Sequence, residues 1–102
     1  MAGIIELKNQ NGQKAALSCK KDGTNIRMSE LGITDPNDLK TSGRYAVTTT
    51  CSNTPVDGWM FVDVWAFNGN EVIQEVISWR KPIKKYIRLR NVSGVWNDWE
   101  EE

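Results

Sequence analysis

Seven side chains in the later part of this 102-residue chain join aromatic rings to hydrogen-bonding groups: Trp59, Asp63, Trp65, Gln74, Tyr86, Arg88 and Trp96. That mixture is the chemistry of a saccharide site. Rings stack on the C–H faces of a sugar while Asp, Gln and Arg hydrogen-bond its hydroxyls. The same residues serve equally well as core or subunit interface, because Trp and Tyr are large surfaces that gain by burial. Trp96 and Trp99 are an odd number of residues apart. On a regular strand one would point inward and the other outward.

Catalysis is not expected. The chain has no histidine, so the usual general base is missing. Asp63 is an isolated carboxylate on an aromatic strand, and a glycosidase needs a second one at a defined separation. Glu71 and Glu75 are near in sequence, but the expected strand register puts them on the other face. No Gly-rich phosphate loop and no nucleophile–base pair is present. Two cysteines without histidine make no zinc site. Cys19 and Cys51 read as free, buried thiols, with a single structural disulfide as the alternative. Neither a cofactor nor a metal is called for.

Arg80, Lys81, Lys84, Lys85, Arg88 and Arg90 hold six of the 13 positive charges. This cluster could attract an anionic surface polymer such as lipopolysaccharide or teichoic acid. It could also pair with Glu71, Glu75 and the acidic Glu100–Glu102 tail across a subunit seam, or be solvated. The 13 basic and 13 acidic side chains cancel, so no overall field favours nucleic acid. No apolar run approaches the length of a membrane span. Met1-Ala2-Gly3 lacks the basic and apolar regions of a signal peptide. Synthesis in a cytoplasm is expected, with exit only by lysis or within a larger particle.

The elements that must position these residues centre on Gly58 to Trp79. Asn68-Gly69 divides two runs rich in Val, Ile, Trp and Phe, which is the signature of a two-residue type I′ hairpin. Trp59, Phe61, Asp63, Trp65 and Phe67 share one face of the first arm, and Met60, Val62, Val64 and Ala66 the other. A two-residue loop pairs Trp65 with Val72, Asp63 with Gln74 and Phe61 with Val76. It pairs Val64 with Ile73 and Met60 with Ile77 on the other face. Both faces are then largely apolar. Such a sheet is covered twice, by a second sheet and by another layer or subunit.

Around this hairpin, short strands are expected at Ile4–Lys8, Ala15–Cys19, Asn25–Met28, Arg44–Thr50, Tyr86–Asn91 and Val95–Trp99. Turns are expected at Asn11-Gly12 and Asp22-Gly23. Asp35 could cap one helical turn beginning at Pro36. The Glu100–Glu102 tail reads as solvated. No longer helical period is present, so the class is all-β. Residues 1–34 hold few large apolar side chains and must pack on something else. They read as an N-terminal β stalk or attachment segment, with 35–102 as the main domain.

The ordered set Asp35-Pro36-Asn37-Asp38-Leu39, Gly43-Arg44-Tyr45, Asn53-Thr54-Pro55, Gln74, Tyr86-Ile87-Arg88 and Trp96-Asn97-Asp98-Trp99 resembles the knob domain of pyocin and phage tail fibres. The resemblance covers roughly residues 35–99. It implies a small antiparallel β-sandwich-like knob, homotrimeric, on a virion. It also implies adhesion to a bacterial surface polysaccharide. Other phage structural proteins would be met through residues 1–34. Within the pattern Gln74 and Arg88 look like framework residues, expected as buried hydrogen-bonding partners. A structural head-fibre or decoration protein without glycan binding is the alternative.

Overall fold

The computed structural model describes residues 4–8, 14–20, 22–49 and 51–102. The Asn11-Gly12 turn and the side chain of Cys19 lie outside the described residues. The protein is all-β. Strands β1 (Ile4–Lys8) and β2 (Lys14–Lys20) pair antiparallel as a separate two-stranded sheet. Strands β3 (Ile26–Arg27), β4 (Gly43–Val47), β5 (Met60–Ala66), β6 (Val72–Ser78), β7 (Lys85–Arg90) and β8 (Glu100–Glu101) form one mixed sheet in sequential order. Only the β3–β4 pair is parallel.

The hairpin is shifted from the expected register. Ala66 pairs with Val72, Trp65 with Ile73, Val64 with Gln74 and Asp63 with Glu75. Phe67 N–H donates to Glu71 O at 2.9 Å, leaving a three-residue loop, Asn68–Asn70. Gly69 does not take the positive φ that a type I′ turn demands. The Asn68 side chain supplies the reason. Its Oδ1 accepts from Asn70 N at 2.8 Å and Glu71 N at 2.7 Å, so the side chain closes the turn itself. Arg90 Nη1 braces the same loop by donating to Gly69 O and Asn70 O, both at 3.1 Å.

That one-residue shift exchanges the faces of β6. Val72, Gln74, Val76 and Ser78 now join Met60, Val62 and Val64 in the core. Ile73, Glu75 and Ile77 join Phe61, Asp63 and Trp65 on the opposite face. The expected Asp63–Gln74 pair does not exist. Glu75 shares the face of Asp63 rather than opposing it.

The layer that covers the core is irregular rather than a second set of strands. It comprises two 3-10 turns, Met28–Leu31 and Pro36–Asp38, the 51–58 loop and the indoles of Trp96 and Trp99. Asp35 caps the second turn as expected, its Oδ1 accepting from Asn37 N at 2.8 Å, with Pro36 at the first position. Ile26 and Met28 are buried in this core, so the core draws on residues before 35. Cys51 is a free thiol and half-buried rather than buried.

The C-terminal segment also departs from expectation. Trp96 makes an isolated bridge to Arg90, and residues 97–99 are irregular. The last strand lies instead in Glu100–Glu101, which pairs with Ile87 and Tyr86. The tail is therefore part of the sheet. Lys84 Nζ lies 3.2 Å from Glu101 Oε1.

Candidate functional site

The seven candidate residues separate onto two surfaces. Gln74, Tyr86, Arg88 and Trp96 lie on the covered side of the sheet. Trp59, Asp63 and Trp65 lie on the open side.

On the covered side, cross-strand neighbours Gln74 and Arg88 form a buried polar unit, as the sequence suggested. Gln74 is 0% exposed and Arg88 6%. Gln74 Nε2 donates to Pro36 O at 2.8 Å and Leu39 O at 2.7 Å. Its Oε1 accepts from Arg88 Nε at 3.0 Å and Nη2 at 2.9 Å. One amide thus fastens the Pro36–Asp38 turn to the sheet and orients a guanidinium. The β6 shift is what brings this amide under the turn, where it satisfies carbonyls that no strand reaches.

Arg88 Cζ sits 4.0 Å from the centroid of the Trp96 ring and 4.3 Å from that of Trp99. Both indoles therefore serve one cation, a favourable arrangement because the ring face is electronegative. A regular strand would have divided them. The irregular backbone at 97–99 lets both converge. Burial pushes the Arg88 guanidinium down to about 10, while the charge of Asp35 opposes that fall. It is a cation at neutral pH.

The surrounding polar groups continue the unit. Trp99 Nε1 donates to Asn53 O at 2.9 Å, and Asn53 Nδ2 donates to Asp35 Oδ2 at 2.6 Å. Asn53 stands at φ +59°, a left-handed position that Asn tolerates. The sequence marks Asp35 as a cap and Asn53 as loop, but does not show that they meet. Nothing in strand periodicity signals a contact between two loops. Tyr86 packs against the core beside Val76.

On the open side, Trp59, Trp65 and Trp79 are 58%, 51% and 63% exposed. Ile73 and Leu89 are also exposed, and Phe61 meets Trp79 edge to face at 5.9 Å between centroids. This apolar sheet face carries a small charged row. Arg44 Nε lies 3.7 Å from Asp63 Oδ2, and Glu75 lies across from Asp63. Burial raises the Asp63 carboxyl above its ordinary value, with Arg44 opposing and Glu75 assisting. Glu75 is raised chiefly by its hydrogen bond with the Glu102 side chain.

The basic cluster does not form one patch. Arg80 Nη2 donates to Asp57 O at 2.6 Å, Lys84 pairs with Glu101, Arg90 holds the hairpin loop and Arg88 is buried. Among the described residues no group of acidic, Cys or His side chains is arranged to hold a metal ion. No helix formed by the described residues is long and apolar enough to cross a membrane. No protein-family model, curated protein or solved structure matches the chain.

Proposed function

We propose that this chain is the knob of a fibre on a phage or phage-like particle, a non-enzymatic adhesin that assembles as a homotrimer and binds saccharide on a bacterial surface. The observation that carries this reading is the open apolar face of the six-stranded sheet. Trp59, Trp65, Ile73, Trp79 and Leu89 all stand exposed on it, around the Arg44–Asp63–Glu75 row, and a cluster of exposed aromatic side chains marks an interaction surface. Three copies meeting through such faces would bury it. The resemblance of residues 35–99 to fibre knobs supports the same assembly. So does the polar and aromatic surface near Trp96 and Trp99, which would remain outward on a trimer closed through the opposite face.

Labelled protein applied to a panel of bacterial cells and to an array of bacterial glycans tests adhesion. Binding to at least one surface polysaccharide is expected. Failure on every cell and glycan would remove the adhesive role.

A second reading has its own support. Strands β1 and β2 form their own two-stranded sheet, with β2 lying beside β3 and β4, and a pair of strands outside the main sheet suits attachment to another structural protein. In that reading the chain decorates a virion and binds no glycan. Because Ile26 and Met28 belong to the core, the informative deletion is residues 1–19 rather than 1–34. Loss of particle incorporation with an unchanged melting curve supports attachment through the hairpin. Undiminished incorporation contradicts it.

A further inference from the structure

Arg88 carries more donors than the fold uses. Its Cζ sits over the rings of both Trp96 and Trp99, and Nε and Nη2 converge on the single oxygen Gln74 Oε1. A guanidinium has five N–H donors. Among the described residues Nη1 has no hydrogen-bond partner, and no carboxylate lies within ion-pair distance. Nη1 is not among the fully buried unpaired atoms, so this donor opens to solvent and is free to meet a ligand.

Arg88 also lines a cleft of about 250 Å³. Nε and Nη2 are turned to Gln74, so Nη1 is the nitrogen left to face it. Asn53, Thr54, Asn97 and Asp98 form the cleft walls, with the edges of Trp96 and Trp99. Asn37 completes the wall, and its buried Oδ1 has no donor. The volume falls below the roughly 300–1,000 Å³ of sites for drug-sized ligands, which suits a single ring.

The charges select the ligand. The Arg88 guanidinium feels the charge of Asp35, and Asp98 adds a second carboxylate to the cleft wall, so an anion gains little there. Unfilled donors beside amide, hydroxyl and carboxylate acceptors match a group that accepts and donates at once, and a hydroxyl does both. The geometry points to a subsite for one neutral hydroxylated sugar ring in the cleft between the Pro36–Asp38 turn, the 51–58 loop and the Trp96–Trp99 segment, with Arg88 Nη1 donating to a ring hydroxyl. This inference rests on the saccharide-binding reading and places it on the covered side of the sheet, away from Trp59, Asp63 and Trp65.

The five Trp indole N–H signals in a ¹H–¹⁵N spectrum of the full chain report on it. The probes are methyl glucoside, galactoside and mannoside, with glucuronate and galacturonate as charged counterparts. Trp96→Phe and Trp99→Phe assign two of the signals. At least one neutral glycoside is expected to shift the Trp96 and Trp99 signals saturably. The corresponding uronate should bind roughly threefold more weakly, the size expected of one exposed charge pair with Asp98. Asp98→Asn should narrow that gap, and Asn97→Ala should weaken the glycoside several-fold. No shift with any glycoside, or stronger binding of uronates, overturns the subsite. Shifts confined to Trp59, Trp65 and Trp79 also overturn it, yet leave the adhesive role standing on the open face.

Discussion

At the residue scale, Gln74 organises the protein more than any aromatic side chain. It ties two turn carbonyls to the sheet and orients Arg88. Replacing it with Leu keeps approximate volume but leaves Leu39 O and a buried cation without their partner, while Pro36 O keeps only the Leu39 N–H. We expect Gln74→Leu to cost about 2–4 kcal/mol, the range for breaking a buried polar network, measured by urea unfolding. A change under about 0.5 kcal/mol, the scatter of ordinary surface substitutions, would show that the network is dispensable. The open-face carboxylates predict a pH dependence. Asp63 and Glu75 are both raised in the folded state, so the native protein holds their protons more tightly than the unfolded chain does. Their contribution to stability is present at acid pH and is lost as pH rises through their elevated folded values. Relative to a Glu75→Gln variant, the wild type should therefore gain thermal stability on acidification from neutral pH to about 4.5, near the ordinary carboxylate range. Equal slopes for the two proteins would contradict this. From sequence, Gln74 and Arg88 were legible as buried partners. The meeting of Trp96 and Trp99 on Arg88 is not legible there, because alternation on a regular strand forbids it.

At the element scale, the hairpin shows how one side chain redirects a sheet. Asn-Gly promised a two-residue turn, and the β-branched arms were read correctly as strands. The Asn68 side chain instead accepts two backbone N–H groups and closes a longer loop. The extra loop residue turns Gln74 inward and Ile73 outward. Periodicity fixed which residues of each arm share a face, but loop length decided which faces join. Asn68→Ala should cost about 1 kcal/mol through loss of those acceptors, read from denaturant midpoints. A second turn is equally specified. Gly94 has φ +78°, and a Cβ there would lie 2.9 Å from Arg90 Nη2. Gly94→Ala should cost about 1–3 kcal/mol, the usual strain for a non-glycine residue held in a sparsely populated conformation. It should also loosen the hairpin loop that Arg90 braces. Unchanged amide exchange at Asn70 and Glu71 in that variant would refute the link.

At the scale of the whole molecule, the all-β class was legible because no stretch beyond a turn has helical period and the strands are rich in β-branched residues. The covering layer was not legible. It is made of turns whose contacts span long stretches of sequence, such as Asn53 with Trp99 and Gln74 with Pro36. The acidic tail read as solvated, yet it completes the sheet through backbone pairing that charge alone does not announce. What the sequence did foresee is a sheet with two apolar faces. One is covered within the chain; the other lies open with three Trp more than half exposed. Other copies of the chain are expected to close that open face. Light scattering on the purified chain at tens of micromolar tests it most directly. The expected mass is three times the 11.6 kDa of one chain, falling to a folded monomer when Trp65→Glu and Ile73→Lys are introduced together. A monodisperse 11.6 kDa species from the wild-type chain would contradict it.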